Sequence, residues 1–76
     1  MFYYLNGIVA DIEQNLVVID CGGVGYLCNT TLRTISAVEK GEKAKLFTYC
    51  HIREDAFDIY GFFTKSELNC FKMLIS

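Results

Sequence analysis

The chain lacks a basic cluster. Its 76 residues hold seven Lys and Arg, all scattered, against nine Asp and Glu, for a formal net charge of -2. Phosphate neutralisation by Lys and Arg supplies most non-specific affinity for DNA, so this balance argues against a free-standing nucleic-acid binder. If the chain touches DNA, other domains do most of the holding. No stretch approaches the roughly 18 consecutive apolar residues of a membrane span, and no basic, apolar, small-residue leader opens the chain. A soluble, cytoplasmic protein with no membrane partner is the expectation. Zinc knuckles are missing too: Cys21, Cys28, Cys50 and Cys70 form no C-x-x-C pair. The single histidine, His51, sits beside Cys50, and one strand sends neighbouring side chains to opposite faces. Neither metal, cofactor nor disulfide is expected, and the cysteines read as reduced, small apolar residues.

What the chain does have is apolar residues, 53% of the total, with 14% aromatic. A chain of this size buries only about 60% of the surface its unfolded form exposes. Such a composition implies either a dense small core or an apolar face kept for association. Phe2 to Ile12 is apolar, aromatic or β-branched at almost every position, as in a strand covered on both faces, and Gly7 marks a bend or bulge in it. Gln14 and Asn15 make a turn. Leu16 to Cys21 alternates, with Val17, Ile19 and Cys21 inward and Asp20 outward. Gly22 and Gly23 supply the next turn, and Gly25 a close backbone approach. Tyr26 and Cys28 point inward on the third strand, Leu27 and Asn29 outward.

Thr30 or Thr31 caps a short helix whose Leu32, Ile35 and Val38 fall three apart, and Gly41 is placed to end it. Lys45 to Ile52 and Ala56 to Phe62 are the fourth and fifth strands. Five strands with a helix between the third and fourth is the connectivity of an OB-fold barrel. An all-β, five-stranded OB-fold barrel over residues 1–63 is therefore expected, with one short inter-strand helix. Residues 64–76 are expected to open a following helical domain. There Thr64 and Glu67 have the spacing of a capping box, and Phe63 and Leu68 that of a hydrophobic staple. Leu68, Phe71, Leu74 and Ile75 form an apolar stripe that either packs on the barrel or waits for a partner.

The stretch HIREDAFDIYGF, His51 to Phe62, reads as a β-hairpin whose charged tip is Arg53, Glu54 and Asp55. Side chains at such a tip point outward, so Glu54 and Asp55 form a short negative prong. Taken alone, this is an ordinary polar turn.

Taken with CGGVGY at Cys21 to Tyr26, the hairpin resembles the N-terminal domain, domain I, of the bacterial Holliday-junction branch-migration protein family RuvA. The resemblance runs through Gly7, Gly22 to Tyr26, Phe47 and Thr48, Arg53 to Asp55, Tyr60 to Phe62, and Cys70, Phe71, Lys72, Leu74 and Ile75. It implies a non-catalytic scaffold that forms the core of a homotetramer on four-way junction DNA. Helix-hairpin-helix elements beyond this barrel grip phosphates, and a further domain, absent here, meets the ATPase motor RuvB. Glu54 and Asp55 then match an acidic pin that repels phosphates at the crossover. Arg53 matches a neighbour that contacts DNA or orients the pin. The chain departs from the pattern at Tyr4 and Asn6, where relatives carry basic residues, and at Leu27 and Asp58, which swap polarity. Two other readings compete. Glu54 and Asp55 could serve an enzyme, but neighbours in a turn diverge where catalysis needs convergence. A generic OB-fold oligomerisation or single-strand-binding module is the alternative; single-strand binding calls for exposed aromatics interleaved with Lys and Arg, and here the aromatics are plentiful but the basic residues are scattered.

Overall fold

The computed structural model of the chain describes residues 3–75. Seven elements follow one another: β1 (Tyr4–Glu13), β2 (Leu16–Cys21), β3 (Val24–Asn29), α1 (Leu32–Ala37), β4 (Lys43–Arg53), β5 (Ala56–Phe62) and α2 (Lys65–Ile75). The strands close a barrel in the order β1-β2-β3-β5-β4, with only the β3–β5 pairing parallel. This is the OB-fold arrangement expected from the strand and helix order. The first strand begins at Tyr4, and the expected start at Phe2 lies outside the described residues.

Alternation fixes the core. Val17 and Ile19 of β2, Cys28 of β3, and Ala44, Leu46 and Cys50 of β4 are buried, while their neighbours face outward. Leu5 and Val9 of β1 and Ile59 of β5 complete the layer. His51 is exposed next to buried Cys50, as strand geometry requires. Burial pushes the Cys28 thiol up to about 12, with smaller contributions from Cys21 and Cys50. All four cysteines are free.

β1 serves two neighbours. It pairs with β4 from Tyr4 to Ile8 and with β2 from Ile8 to Glu13. The bulge comes between Val9 and Asp11, not at Gly7. Gly7 answers a different demand: a Cβ there would lie 2.3 Å from the Asp20 carbonyl oxygen. Gly61 is the second tight position, since its Cβ would meet Leu46 Cδ1 at 3.0 Å and Cys28 Cβ at 3.3 Å. Gly25, expected to permit a close approach, has only ordinary room beside Val18. Gly22 and Gly23, at φ 63° and 97°, form the two-residue turn between β2 and β3, as their sequence suggests.

The helices depart further from local expectation. Thr31 caps α1 by accepting from the Thr34 amide. Yet the helix stops at Ala37, before Gly41, whose φ of 90° serves the turn into β4. Leu32 points into solvent and Thr34 is the buried residue of α1. The reason is a polar knot. The Glu67 carboxylate accepts from Thr31 Oγ1 at 2.6 Å and Thr34 Oγ1 at 2.8 Å, and Thr34 Oγ1 accepts from the Phe63 amide at 3.0 Å. Thr64 still caps α2 through the Glu67 amide, but the Glu67 carboxylate, expected to reach back to the Thr64 amide, is spent on α1. Leu68 is buried and Phe71 sits among Tyr49, Tyr60 and Phe62, with ring centroids 5.0–5.9 Å away. Leu74 and Ile75 continue the stripe into solvent, beside exposed Met73. Phe63, the other half of the expected staple, stays largely exposed while Leu68 is covered.

Candidate functional site

β4 and β5 pair continuously from Phe47↔Phe62 to Arg53↔Ala56, leaving Glu54 and Asp55 as a two-residue turn. Toward the barrel this ribbon is flanked by β3, which pairs with β5 only at Cys28↔Ile59 and Asn29↔Tyr60. Beyond Ile59, no third strand pairs with the ribbon among the described residues. Ile52 and Phe57, cross-strand partners there, are 64% and 52% exposed, so the last turn of the hairpin stands clear of the core. Leu27 of β3 is exposed beside the opening between the diverging strands, which Phe57 and Asp58 line from the other side.

Glu54 and Asp55 lie together at the end of this prong, both exposed. Neither takes part in an ion pair among the described residues. Arg53 does not neutralise them: its guanidinium donates to Asp58 Oδ2 at 2.7 Å, diagonally across the ribbon. This also accounts for Asp58, whose place the sequence left unexplained. An exposed pair of this kind contributes about 0.2–1 kcal/mol, which orients the two strands more than it stabilises the fold. The tip therefore presents two adjacent carboxylates with the nearest cation turned back along the hairpin.

Convergence is missing from this arrangement. Among the described residues, no group of three or more His, Cys, Asp or Glu is placed to hold a metal ion. Nor does any described helix have the length and apolar character to cross a membrane. Of the other residues singled out from sequence, Phe62 is core, Gly61 is buried against Leu46, and Tyr60 stacks on Phe71. These three shape the barrel behind the prong.

Sequence reasoning missed a second cluster at the opposite end of β4. There Lys45 Nζ lies 4.2 Å from the Tyr4 ring centroid and 5.4 Å from that of Phe47, and Lys65 Nζ lies 5.1 Å from that of Tyr3. The register Tyr4↔Phe47 and Asn6↔Lys45 brings these residues together across about 40 positions of chain. Strand alternation could have placed Lys45 and Phe47 on one outer face. The pairing with β1 could not be read from the sequence.

The family described as RuvA N terminal domain matches residues 1–61. The Holliday junction branch migration complex subunit RuvA of Acetivibrio thermocellus is 42% identical over 77 residues, covering 100% of this chain and 38% of the relative. The protein of the same name from Bacteroides thetaiotaomicron is 45% identical over 76 residues, again 100% and 38%. That from Thermoanaerobacter sp. is 44% identical over 77 residues, covering 100% and 41%. The chain thus spans about two fifths of the length of these curated relatives.

Proposed function

The chain belongs to the RuvA N-terminal domain family, and from that premise we propose that it is the non-catalytic barrel of a Holliday junction branch-migration subunit. In this reading Glu54 and Asp55 act as an acidic pin at the crossover of a four-way junction. The observation that carries it is the uncompensated tip: two exposed carboxylates on a ribbon that has left the barrel, with Arg53 committed to Asp58.

Like charges 4 Å apart cost about 1 kcal/mol per pair in bulk water, and more where water is displaced. Four such barrels around one axis would set a ring of carboxylates against the phosphates that crowd a crossover. DNA that opens at the centre escapes this repulsion, and DNA that does not open pays it. Arg53 orients the prong through Asp58. Affinity comes from phosphate-gripping elements in the longer protein, and a motor such as RuvB supplies the work. The residues from 64 onward lead toward those elements.

The test replaces the matching segment of the Acetivibrio thermocellus relative with this chain, so that grip and pin are present together. Glu54→Gln with Asp55→Asn neutralises the tip and keeps its shape. Junction binding should tighten, linear duplex binding should rise more, and selectivity should fall, all less so at high salt. Unchanged binding to both DNAs would reduce Glu54 and Asp55 to a polar turn.

A further inference from the structure

We propose that Tyr3, Tyr4 and Phe47, with Lys45 and Lys65, form a stacking platform for single-stranded DNA on the outer β1–β4 face. Exposure is the first argument: Tyr3 and Tyr4 are 55% and 47% exposed, unusual for neighbouring large rings with a barrel close by. Charge is the second. Lys40 pairs with Asp11 and Arg53 with Asp58, whereas Lys45 and Lys65 take part in no ion pair among the described residues. Lys43 lies two positions before Lys45 on the same outward face of β4, and it too is exposed and in no such pair.

Aromatic faces interleaved with cations are what a single strand requires, because every base has a π-face and every link a phosphate. Tyr3 lies 6.1 Å from Tyr4 and 6.2 Å from Phe47, both edge to face. Near-perpendicular rings turn their faces in different directions, so they suit bases splayed apart rather than one continuous stack. In the free chain the ammonium groups rest over the rings. An exposed cation–π contact is weak, so a base takes the ring and the ammonium moves to the adjoining phosphate.

The platform is not the β2–β3 face that OB-folds commonly use. It is separated from the acidic tip by seven residues of β4, Phe47 to Glu54, or roughly 20 Å at about 3.3 Å per residue. This exceeds two Debye lengths, each about 8 Å at physiological salt. The carboxylates at one end of β4 therefore do not cancel the lysines at the other. The inference extends the DNA reading given above to a strand already separated from its partner, and it concerns different residues.

Fluorescence anisotropy of a labelled oligothymidine, with the chain alone over a salt series of about 0.05–0.15 M, where the Debye length stays below the separation from the acidic tip, tests it. Tyr4→Ala should weaken binding about tenfold and Tyr4→Phe should restore it, since the ring and not the hydroxyl stacks. Lys45→Gln should reduce the salt slope by about 0.7, the value for one phosphate contact on a single strand. Lys72→Gln, an equal charge change on α2, should do less. Circular dichroism spectra matching the wild type show that each variant folds. No binding at about 0.05 M salt overturns the proposal, as does indifference to Tyr4→Ala or an equal effect of Lys72→Gln. If Tyr4→Ala instead alters the sedimentation mass and leaves oligonucleotide binding unchanged, the face is a contact between copies. The acidic-tip test uses junction and duplex, so either idea can fail without the other.

Discussion

Replacing Glu67 by alanine removes the acceptor for two threonine hydroxyls and cuts the tie between α1 and α2. Thr34 is fully buried, so its hydroxyl cannot turn to water, while Thr31 is half-buried and can. A hydrogen bond to a charged group contributes about 1.5–3 kcal/mol, and a buried donor left unsatisfied costs about 1–3 kcal/mol. Thr34 retains a weaker outlet, 3.4 Å from Thr31 Oγ1, so the net loss should be about 2–4 kcal/mol. A 76-residue domain has a total stability of only about 4–11 kcal/mol. Urea unfolding followed by far-ultraviolet circular dichroism should therefore show the midpoint falling by about 2 M, with the slope unchanged. Part of this loss belongs to the helix dipole, since Glu67 lies in the first turn of α2. A double-mutant cycle with Thr34→Val separates the two, because the dipole term is common to both backgrounds. The knot predicts a coupling above about 1 kcal/mol. Additivity within about 0.5 kcal/mol, or a Glu67→Ala variant as stable as the wild type, would refute the reasoning.

Two further outcomes follow from the barrel. Gly7→Ala should destabilise by about 3 kcal/mol or prevent folding, because its Cβ meets the Asp20 carbonyl at 2.3 Å, whereas Gly25→Ala, with 3.4 Å to Val18, should be tolerated in the same urea experiment. Buried Cys28 should label with a thiol reagent only as fast as the chain unfolds, while exposed Cys70 labels at once, which peptide mapping after timed labelling distinguishes. The Cys28 thiol is raised from 9.0 to about 12 in the fold. Between those values the unfolded chain binds fewer protons than the folded one. Its contribution is thus complete below pH 9 and declines as pH rises, by up to about 1.4 kcal/mol per unit, where urea midpoints taken at successive alkaline pH values should fall.

Strands were legible because their signal is local. Leu16–Cys21 and Ala56–Phe62 begin and end where alternation and turn residues place them. What escaped depends on partners distant in the chain. Leu32 fits a helical stripe, yet Thr34 occupies the core because Glu67, 33 residues later, accepts its hydrogen bond. A capping box read from spacing alone cannot show that its carboxylate has a stronger claim elsewhere. The glycines behaved likewise: turn roles at Gly22 and Gly23 were visible, but Gly61 is constrained by Leu46 and Cys28 from other strands. At the tip, Glu54 and Asp55 were legible as a charged break in an apolar pattern. Arg53 was legible as a cation that contacts DNA or orients the pin, but its partner followed only from the hairpin register, in which Asp58 lies diagonally across.

The shape of the prong suits the electrostatic role proposed for it better than a chemical one. A two-stranded ribbon without a flanking strand is marginal by itself, and here the Ile52–Phe57 cross-strand pair and the Arg53–Asp58 bridge brace it. Catalysis requires groups held to a fraction of an ångström, which such a ribbon does not provide. Repulsion is far less demanding. A carboxylate acts on a phosphate over a Debye length of about 8 Å at physiological salt, so small bending of the tip changes the energy little. Two adjacent carboxylates in a turn also diverge, which spoils a metal site but spreads negative charge across the end of the prong. Turning Arg53 back toward Asp58 then keeps its positive charge from offsetting the tip while bracing the strands that carry it.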